Sequence, residues 1–208
     1  MGTDSAVCSL RQKQRQERLE LILQTAEQVF TEKGYRDTSM DEIATRVGIG
    51  TATIYSHFSS KEDLMVVAIL ERDFRRIVPP VEEICHATGS ATEKLGKVFH
   101  LLINTDFFSR RVQVLYAMGN SPEAQRAMLA RQDAMLESAQ AFSAALTTII
   151  EHGKADGEFQ PDIATATMLK GFLGMLRAQS VTDQFLNRYA SEPDELLHIY
   201  LQGIARRE

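Results

Sequence analysis

The chain has 208 residues, 44% of them hydrophobic, which is enough to bury a core in one large or two small domains and excludes a disordered or fibrous protein. No apolar run approaches the roughly 18 residues a membrane span needs, and Met1–Gln16 lacks the apolar stretch of a signal peptide. Two cysteines, Cys8 and Cys85, support neither a disulfide framework nor a clustered metal site, so the expectation is a cytoplasmic protein with no metal, no cofactor and no membrane association.

The formal net charge is −5, but residues 1–61 hold eight basic and eight acidic side chains, so the whole deficit lies in residues 62–208. Arg11, Lys13, Arg15 and Arg18 precede most of those acids and form a basic arm, whose plain reading is a solvated helix start. Residues 1–12 are expected to be flexible. From 17 to 33, Leu19, Ile22, Leu23, Ala26, Val29 and Phe30 recur at helical spacing, and Gly34 follows where a C-terminal cap belongs. Ser39-Met40-Asp41-Glu42 reads as a capping box that opens a short helix with Met40, Ile43, Ala44 and Val47 turned inward. Gly48-Ile49-Gly50 then makes a turn.

Val47–Ser60 carries no charge, in a chain that is 25% charged, and Thr51–Phe58 alternates like a half-buried strand. Its context decides for a helix, because two short helices joined by a glycine-containing turn are a helix-turn-helix. At about 100° per residue, Ile54, Phe58, Thr51 and Tyr55 share an inward arc, leaving Ala52, Thr53, Ser56 and His57 outward. A face of small hydroxyls, a methyl and an imidazole can approach base edges closely. Lys61 starts a fourth helix, predicted to run to Val78 and to stop at Pro79-Pro80. Beyond it, helices are predicted over 81–87, 91–109, 110–118, 122–155, 162–183 and 192–206, with breaks at Gly89, Gly119–Pro122, Asp156–Pro161 and Ser191–Pro193. The fold class is therefore all-α, with a three-helix N-terminal domain over 1–60 and a larger helical domain over 61–208, linked by the helix 61–78.

The order and spacing of Phe30, Gly34-Tyr35, Thr38 to Ala44, Thr53-Ile54-Tyr55, His57-Phe58 and Lys61-Glu62-Asp63-Leu64 resemble the DNA-binding domain of the TetR family of bacterial transcription regulators, over about fifty residues without gaps. Past Pro80 the resemblance is limited to the helical layout and to GKADGEFQPDI. It implies a homodimeric regulator that binds a palindromic operator in double-stranded DNA, a repressor controlled by a small-molecule effector. By the same resemblance Thr38 and Ser39 would touch phosphate, Thr53 and Tyr55 would lie at the major groove, and His57 and Lys61 would flank it on the backbone. Gly50, Thr51, Ala52 and Ser56 complete the candidate surface. Gly50, Thr51 and Ser56 depart from the family's usual residues, which leaves a different class open: a helical ligand-binding or scaffold protein whose helix-turn-helix no longer binds DNA.

In the second domain Phe99, Ile103, Phe107, Tyr116, Met135, Phe142, Phe172 and Met175 are candidates to line a largely apolar effector cavity, although Phe and Met at helical spacing are core more often than pocket. Leu173, Leu176, Leu197, Tyr200, Leu201 and Ile204 form stripes suited to a four-helix dimer interface, or to packing within one chain. Gly48-Ile49-Gly50 fails as a dinucleotide fingerprint because position 53 is Thr, and no nucleophile-base constellation supports an enzyme.

Overall fold

The computed structural model describes residues 3–119, 121–185 and 192–206, with side chains from Gln12 onward and not over 180–185. Residues 1–2, Asn120 and Ser191, and the side chain of Arg11, lie outside the described residues, so the breaks predicted at Asn120 and Ser191 and part of the basic arm do too. Among the described residues there is no β-strand, no helix long and apolar enough to cross a membrane, and no group of three potential metal ligands. Contacts divide the chain into two compact units, Met1–Arg72 with Val114–Gln132, and Asp73–Gln113 with Asp133–Glu208.

In the first unit α1 spans Thr3–Lys33, so the helix reaches back through most of the arm expected to be flexible. Its buried face is Ile22, Leu23, Ala26, Val29 and Phe30, the periodic set. α2 (Met40–Val47) buries Met40, Ile43 and Ala44. Ser39 caps it by accepting from the Glu42 N–H at 3.1 Å, which is half of the predicted box. The other half is absent because Glu42 turns to Lys33 and Arg46, and hydrogen bonding to Lys33 above all holds its carboxyl below the ordinary range. Gly48 ends the helix at φ +79°, where its N–H bonds the carbonyls of Ala44 and Thr45. α3 (Thr51–Tyr55) follows, anchored by Ile54 and by Phe58 just beyond it, which are 0% and 2% exposed.

α4 (Lys61–Met65) is capped by Ser60, continues as a π-helical segment, Val66–Glu71, and then as α5 (Arg72–His86). All six residues of the π segment are buried, so it is covered on every side. α5 passes through Pro79 and Pro80, where sequence predicts a stop. Phe74, Ile77, Val81 and Cys85 form one buried stripe along it, and that burial, about 1.5–3 kcal/mol for each large side chain, offsets the two missing N–H donors. The contact boundary falls at Arg72 rather than at Ser60 or the prolines. α8 (Pro122–Ala130) also belongs to the first unit, although sequence groups it with the second.

The second unit is built on α5, α6 (Ala91–Asn104), the start of α7 (Phe107–Met118), α9 (Gln132–Ala155), α10 (Thr165–Phe185) and α11 (Pro193–Ile204). The helix predicted over 91–109 breaks after Asn104: the Thr105 hydroxyl bonds back to the Leu101 carbonyl, and Asp106 sits at φ 52°, a conformation Asp tolerates better than most residues. The helix predicted over 122–155 breaks at Arg131, whose side chain is drawn to Asp63. GKADGEFQPDI proves to be a staple. Glu158 accepts from the N–H groups of Ala91 and Thr92 at 2.8 and 2.9 Å, closing the start of α6, while Gly153 leaves room for the Phe159 ring and for Ala91, which a Cβ would approach to 2.7 Å. Burial raises the Glu158 pKa, but these bonds outweigh it and hold the carboxyl below the ordinary range. Lys154 donates to the Ile163 carbonyl at 2.9 Å, and Gln160 and Arg206 tie the segment to the end of α11.

Candidate nucleic-acid interface

The helix-turn-helix places α3 with Ala52, Tyr55 and Ser56 exposed, Thr53 and His57 half-buried, and Ile54 and Phe58 inward. Tyr55 is 54% exposed, against the inward arc that periodicity gave it: at 100° per residue it stands at the edge of that arc, a full 100° from the buried Ile54. Gly50 caps α3 through its backbone alone. The Thr51 hydroxyl donates to Asp41 at 2.6 Å, tying α3 to α2 rather than facing outward, and the Ser56 hydroxyl donates to the Thr53 carbonyl at 2.7 Å. The side chains left on the outer face are Ala52, Thr53, Tyr55, Ser56 and His57.

The candidates nominated for phosphate are arranged differently. Thr38 is 3% exposed and its hydroxyl donates to the Gly34 carbonyl at 2.7 Å. Ser39 is exposed but engaged as the cap of α2. The Lys61 ammonium donates to the carbonyls of Tyr35 and Thr38, both at 2.9 Å, and lies 4.1 Å from the centre of the Tyr35 ring. The rest of that motif is also engaged. The Tyr35 hydroxyl donates to Glu62, and burial, reinforced by that bond, pushes the phenol well above its ordinary range. Asp63 accepts from the Ser59 N–H and from Arg131, both at 2.9 Å, and Leu64 is fully buried.

Sequence reasoning listed the basic arm without joining it to α3. Gln14, Arg15 and Arg18 of α1 line an open groove of about 330 Å³ together with Thr53, Ser56 and His57. Burial, then the positive charges of Arg15 and Arg18, hold the His57 imidazole below its ordinary range, so at neutral pH it offers one donor and one acceptor. The signal in sequence is the spacing of Arg15 and Arg18, which puts both on one side of a helix.

Residues 22–68 match the family model of bacterial regulatory proteins, tetR family. The likeness to that family is carried by this segment, which holds α2 and α3. The chain is similar to the HTH-type transcriptional activator FasR of Mycolicibacterium smegmatis, with 37% identity over 39% of this chain and 36% of FasR. It is also similar to the HTH-type transcriptional regulator UidR of Escherichia coli, with 29% identity over 70% of each chain. The alignments with FasR and with the fatty acid metabolism regulator protein of Bacillus subtilis span 36% and 44% of those proteins, so the likeness to each covers less than half of its length. Two solved structures share the fold across nearly their whole length. A putative transcriptional regulator from Saccharomonospora viridis in complex with choline has a TM-score of 0.71 at 21% identity, covering 92% of this chain and 100% of that one. FadR from Bacillus subtilis in complex with stearoyl-CoA has a TM-score of 0.67 at 21% identity, covering 89% and 98%.

In the second unit, Phe99, Phe107, Phe142 and Phe172 are buried and packed on one another, with ring centroids of Phe107 and Phe142 5.9 Å apart and of Phe99 and Phe172 6.5 Å apart. Ile103 and Met175 flank this core and Met135 is half-buried. Tyr116 is 67% exposed and belongs to the first unit, which removes it from any cavity of the second. A cavity of about 60 Å³ lies beside Ile103, Asp106, Phe108 and Gln179, well below the ~300 Å³ at which drug-sized ligand sites begin. Of the residues nominated for dimerisation, Leu176, Leu197 and Ile204 are buried inside the chain, while Leu173, Tyr200 and Leu201 pack partly against the same core. The Tyr200 hydroxyl donates to the Met168 carbonyl at 2.8 Å, and burial raises its pKa. The stripe is therefore largely intramolecular, and the large apolar side chain that α11 turns outward is Ile199, 67% exposed.

Proposed function

We propose that the chain is a sequence-specific regulator of transcription that binds duplex DNA through α2 and α3 as a homodimer, and that a small-molecule effector controls this binding as it does in a repressor. The observation that carries the reading is the outer face of α3, where Ala52, Thr53, Tyr55 and Ser56 present methyls and hydroxyls with no charged side chain among them. Such a face suits base edges in a major groove and is a poor design for open solvent. The reading assigns no catalytic role and places the protein in the cytoplasm.

The effector would enter the second unit. Stearoyl-CoA in FadR and choline in the Saccharomonospora regulator show how widely ligands of this fold differ. An apolar ligand fits the phenylalanine-rich core here, with Phe99, Phe107, Phe142 and Phe172 parting to admit it. Its effect would travel along α4, the π segment and α5, which are continuous in the chain and pass from one unit into the other; a differential affinity of about 1–3 kcal/mol between two states suffices. The dimer face would use the outward sides of α10 and α11, centred on Ile199.

Selection of bound sequences from a random duplex pool tests the reading. A palindromic consensus with half-sites about one helical turn, roughly 34–36 Å, apart is expected. Retention driven only by low salt, with no sequence enriched, overturns it in favour of a helical ligand-binding protein with an inactive helix-turn-helix.

A further inference from the structure

The outer face of α3 has no cation, and Lys61, the nearest positive charge by sequence, is held by two backbone carbonyls. Duplex DNA nevertheless presents one negative charge per strand for every ~3.4 Å of helix axis, and neutralising phosphates supplies much of the affinity of any DNA-binding surface. The charge must therefore come from another element beside α3.

The other cations of the first unit are mostly paired. Arg46 is bound to Glu32 and Glu42, Lys33 to Glu42, Arg72 to Glu20 and Glu27, and Arg131 to Asp63. Among the described residues Lys13, Arg15, Arg18 and Arg36 have no carboxylate partner, and of these Arg15 and Arg18 line the groove beside α3. Both are exposed, and among the described residues neither has a carboxylate partner, although the chain carries 28 acidic residues that could supply one. Both line the groove that Thr53, Ser56 and His57 close from the other side, and no acid lines it. Their separation of three residues puts both on one side of α1, the side that lines the groove. These residues precede the part of the chain that matches the family model, which begins at residue 22.

We infer that the N-terminal extension of α1 is a second DNA-contacting element, in which Arg15 and Arg18 hold two successive backbone phosphates seated in the groove between α1 and α3. The Gln14 amide adds a neutral hydrogen bond to the same phosphates, while Thr53 at the rim stays directed to the bases. The extension thus supplies the charge that α3 lacks and fixes the angle at which α3 enters the major groove. This inference rests on the DNA-binding reading above.

The test compares two short duplexes, one carrying the sequence that the wild-type chain enriches from a random pool and one of unrelated sequence, over a salt series. Because a homodimer carries each residue twice, Arg15→Ala and Arg18→Ala should each reduce the slope of log affinity against log salt by about 1.8, and the double variant by about twice that, equally on both duplexes. The enriched consensus should stay the same. Replacing both arginines with lysine should restore the slope, since a phosphate contact needs the charge and a packing role needs the guanidinium. A double alanine variant with the wild-type slope overturns the inference while leaving the DNA-binding reading intact, and so does a lysine variant that fails like the alanine one. A consensus altered at a base pair overturns it too, by assigning the groove to base reading instead. If the wild-type chain enriches no sequence, the DNA-binding reading itself fails and this inference fails with it.

Discussion

Thr51–His57 and Lys61–Asp63 follow one another along the chain and use their side chains in opposite ways. The first stretch is uncharged and turns Ala52, Thr53, Tyr55 and Ser56 out of the fold. In the second, Lys61, Glu62 and Asp63 are all charged and all engaged inside it: the lysine on the carbonyls of Tyr35 and Thr38, the glutamate on the Tyr35 hydroxyl, the aspartate on Ser59 and Arg131. A charge is costly to leave unpaired beside apolar surface, so the fold surrounds it with donors or acceptors. A small hydroxyl or methyl can be left outward at little cost. On the DNA-binding function proposed above, the uncharged stretch faces the ligand while the charged one holds the fold, and the positive charges beside α3 are those of Arg15 and Arg18 on α1.

The largest effect expected from this contrast is that of Asp63→Ala. Asp63 is 5% exposed, and its carboxylate joins the start of α4 to Arg131 at the end of α8. Removing it leaves the Ser59 N–H without its acceptor and Arg131 with only its longer contact to Glu71 at 3.9 Å, at a cost of about 2–3 kcal/mol. Thermal unfolding should fall by roughly 4–12 °C. A wild-type melting temperature would show that the charged stretch does not hold the fold, and the contrast would collapse.

Lys61→Ala comes next. Two charge-assisted hydrogen bonds and the contact with the Tyr35 ring are lost, but the site is only half-buried and water can replace part of them, so about 1–2 kcal/mol is expected. The informative readout is the salt dependence of DNA binding, which should stay at the wild-type slope while stability falls. A slope smaller by about two, one contact from each subunit of the dimer, would mean that the ammonium leaves the carbonyls for a phosphate when DNA binds.

The parts of this arrangement that could be read from sequence are those carried by local spacing. The buried face of α1, the cap at Ser39, the left-handed Gly48 and the outward position of Thr53 all follow from residues within a turn or two of one another. What could not be read depends on distant partners. Lys61 and Tyr35 lie 26 residues apart, and Asp63 and Arg131 lie 68 apart, so nothing in either local pattern distinguishes a phosphate anchor from a structural tie. The same ambiguity affected α11: Leu197 and Ile204 form a stripe that spacing cannot assign to another subunit or to the chain's own core, and three-dimensional packing gives it to the core. Pro79-Pro80 misled for a related reason, since the local penalty is outweighed by a buried stripe that only the complete fold supplies.

Thr53→Ala should have the smallest effect on the protein alone and so sharpens the contrast most. Thr53 sits in the first turn of a helix capped only by backbone, and its side chain makes no hydrogen bond that the fold needs; alanine is also the better helix former, so stability should change by less than about 0.5 kcal/mol. The loss belongs to recognition. Without the hydroxyl and its methyl, one base pair per half-site should lose its preference, at about 1–3 kcal/mol on the matched sequence and nothing on an unrelated one. The salt slope should not move, because no charge is removed. In a dimer the relaxed position should occur twice, symmetrically about the centre of the palindrome. Sequencing the pools enriched by Thr53→Ala, by the Arg15 and Arg18 variants and by the wild-type chain separates the roles: readers change the consensus at constant slope, and anchors change the slope at constant consensus. If Thr53→Ala keeps the full consensus, the outer face of α3 does not read the base pair assigned to it, and the uncharged stretch needs another explanation.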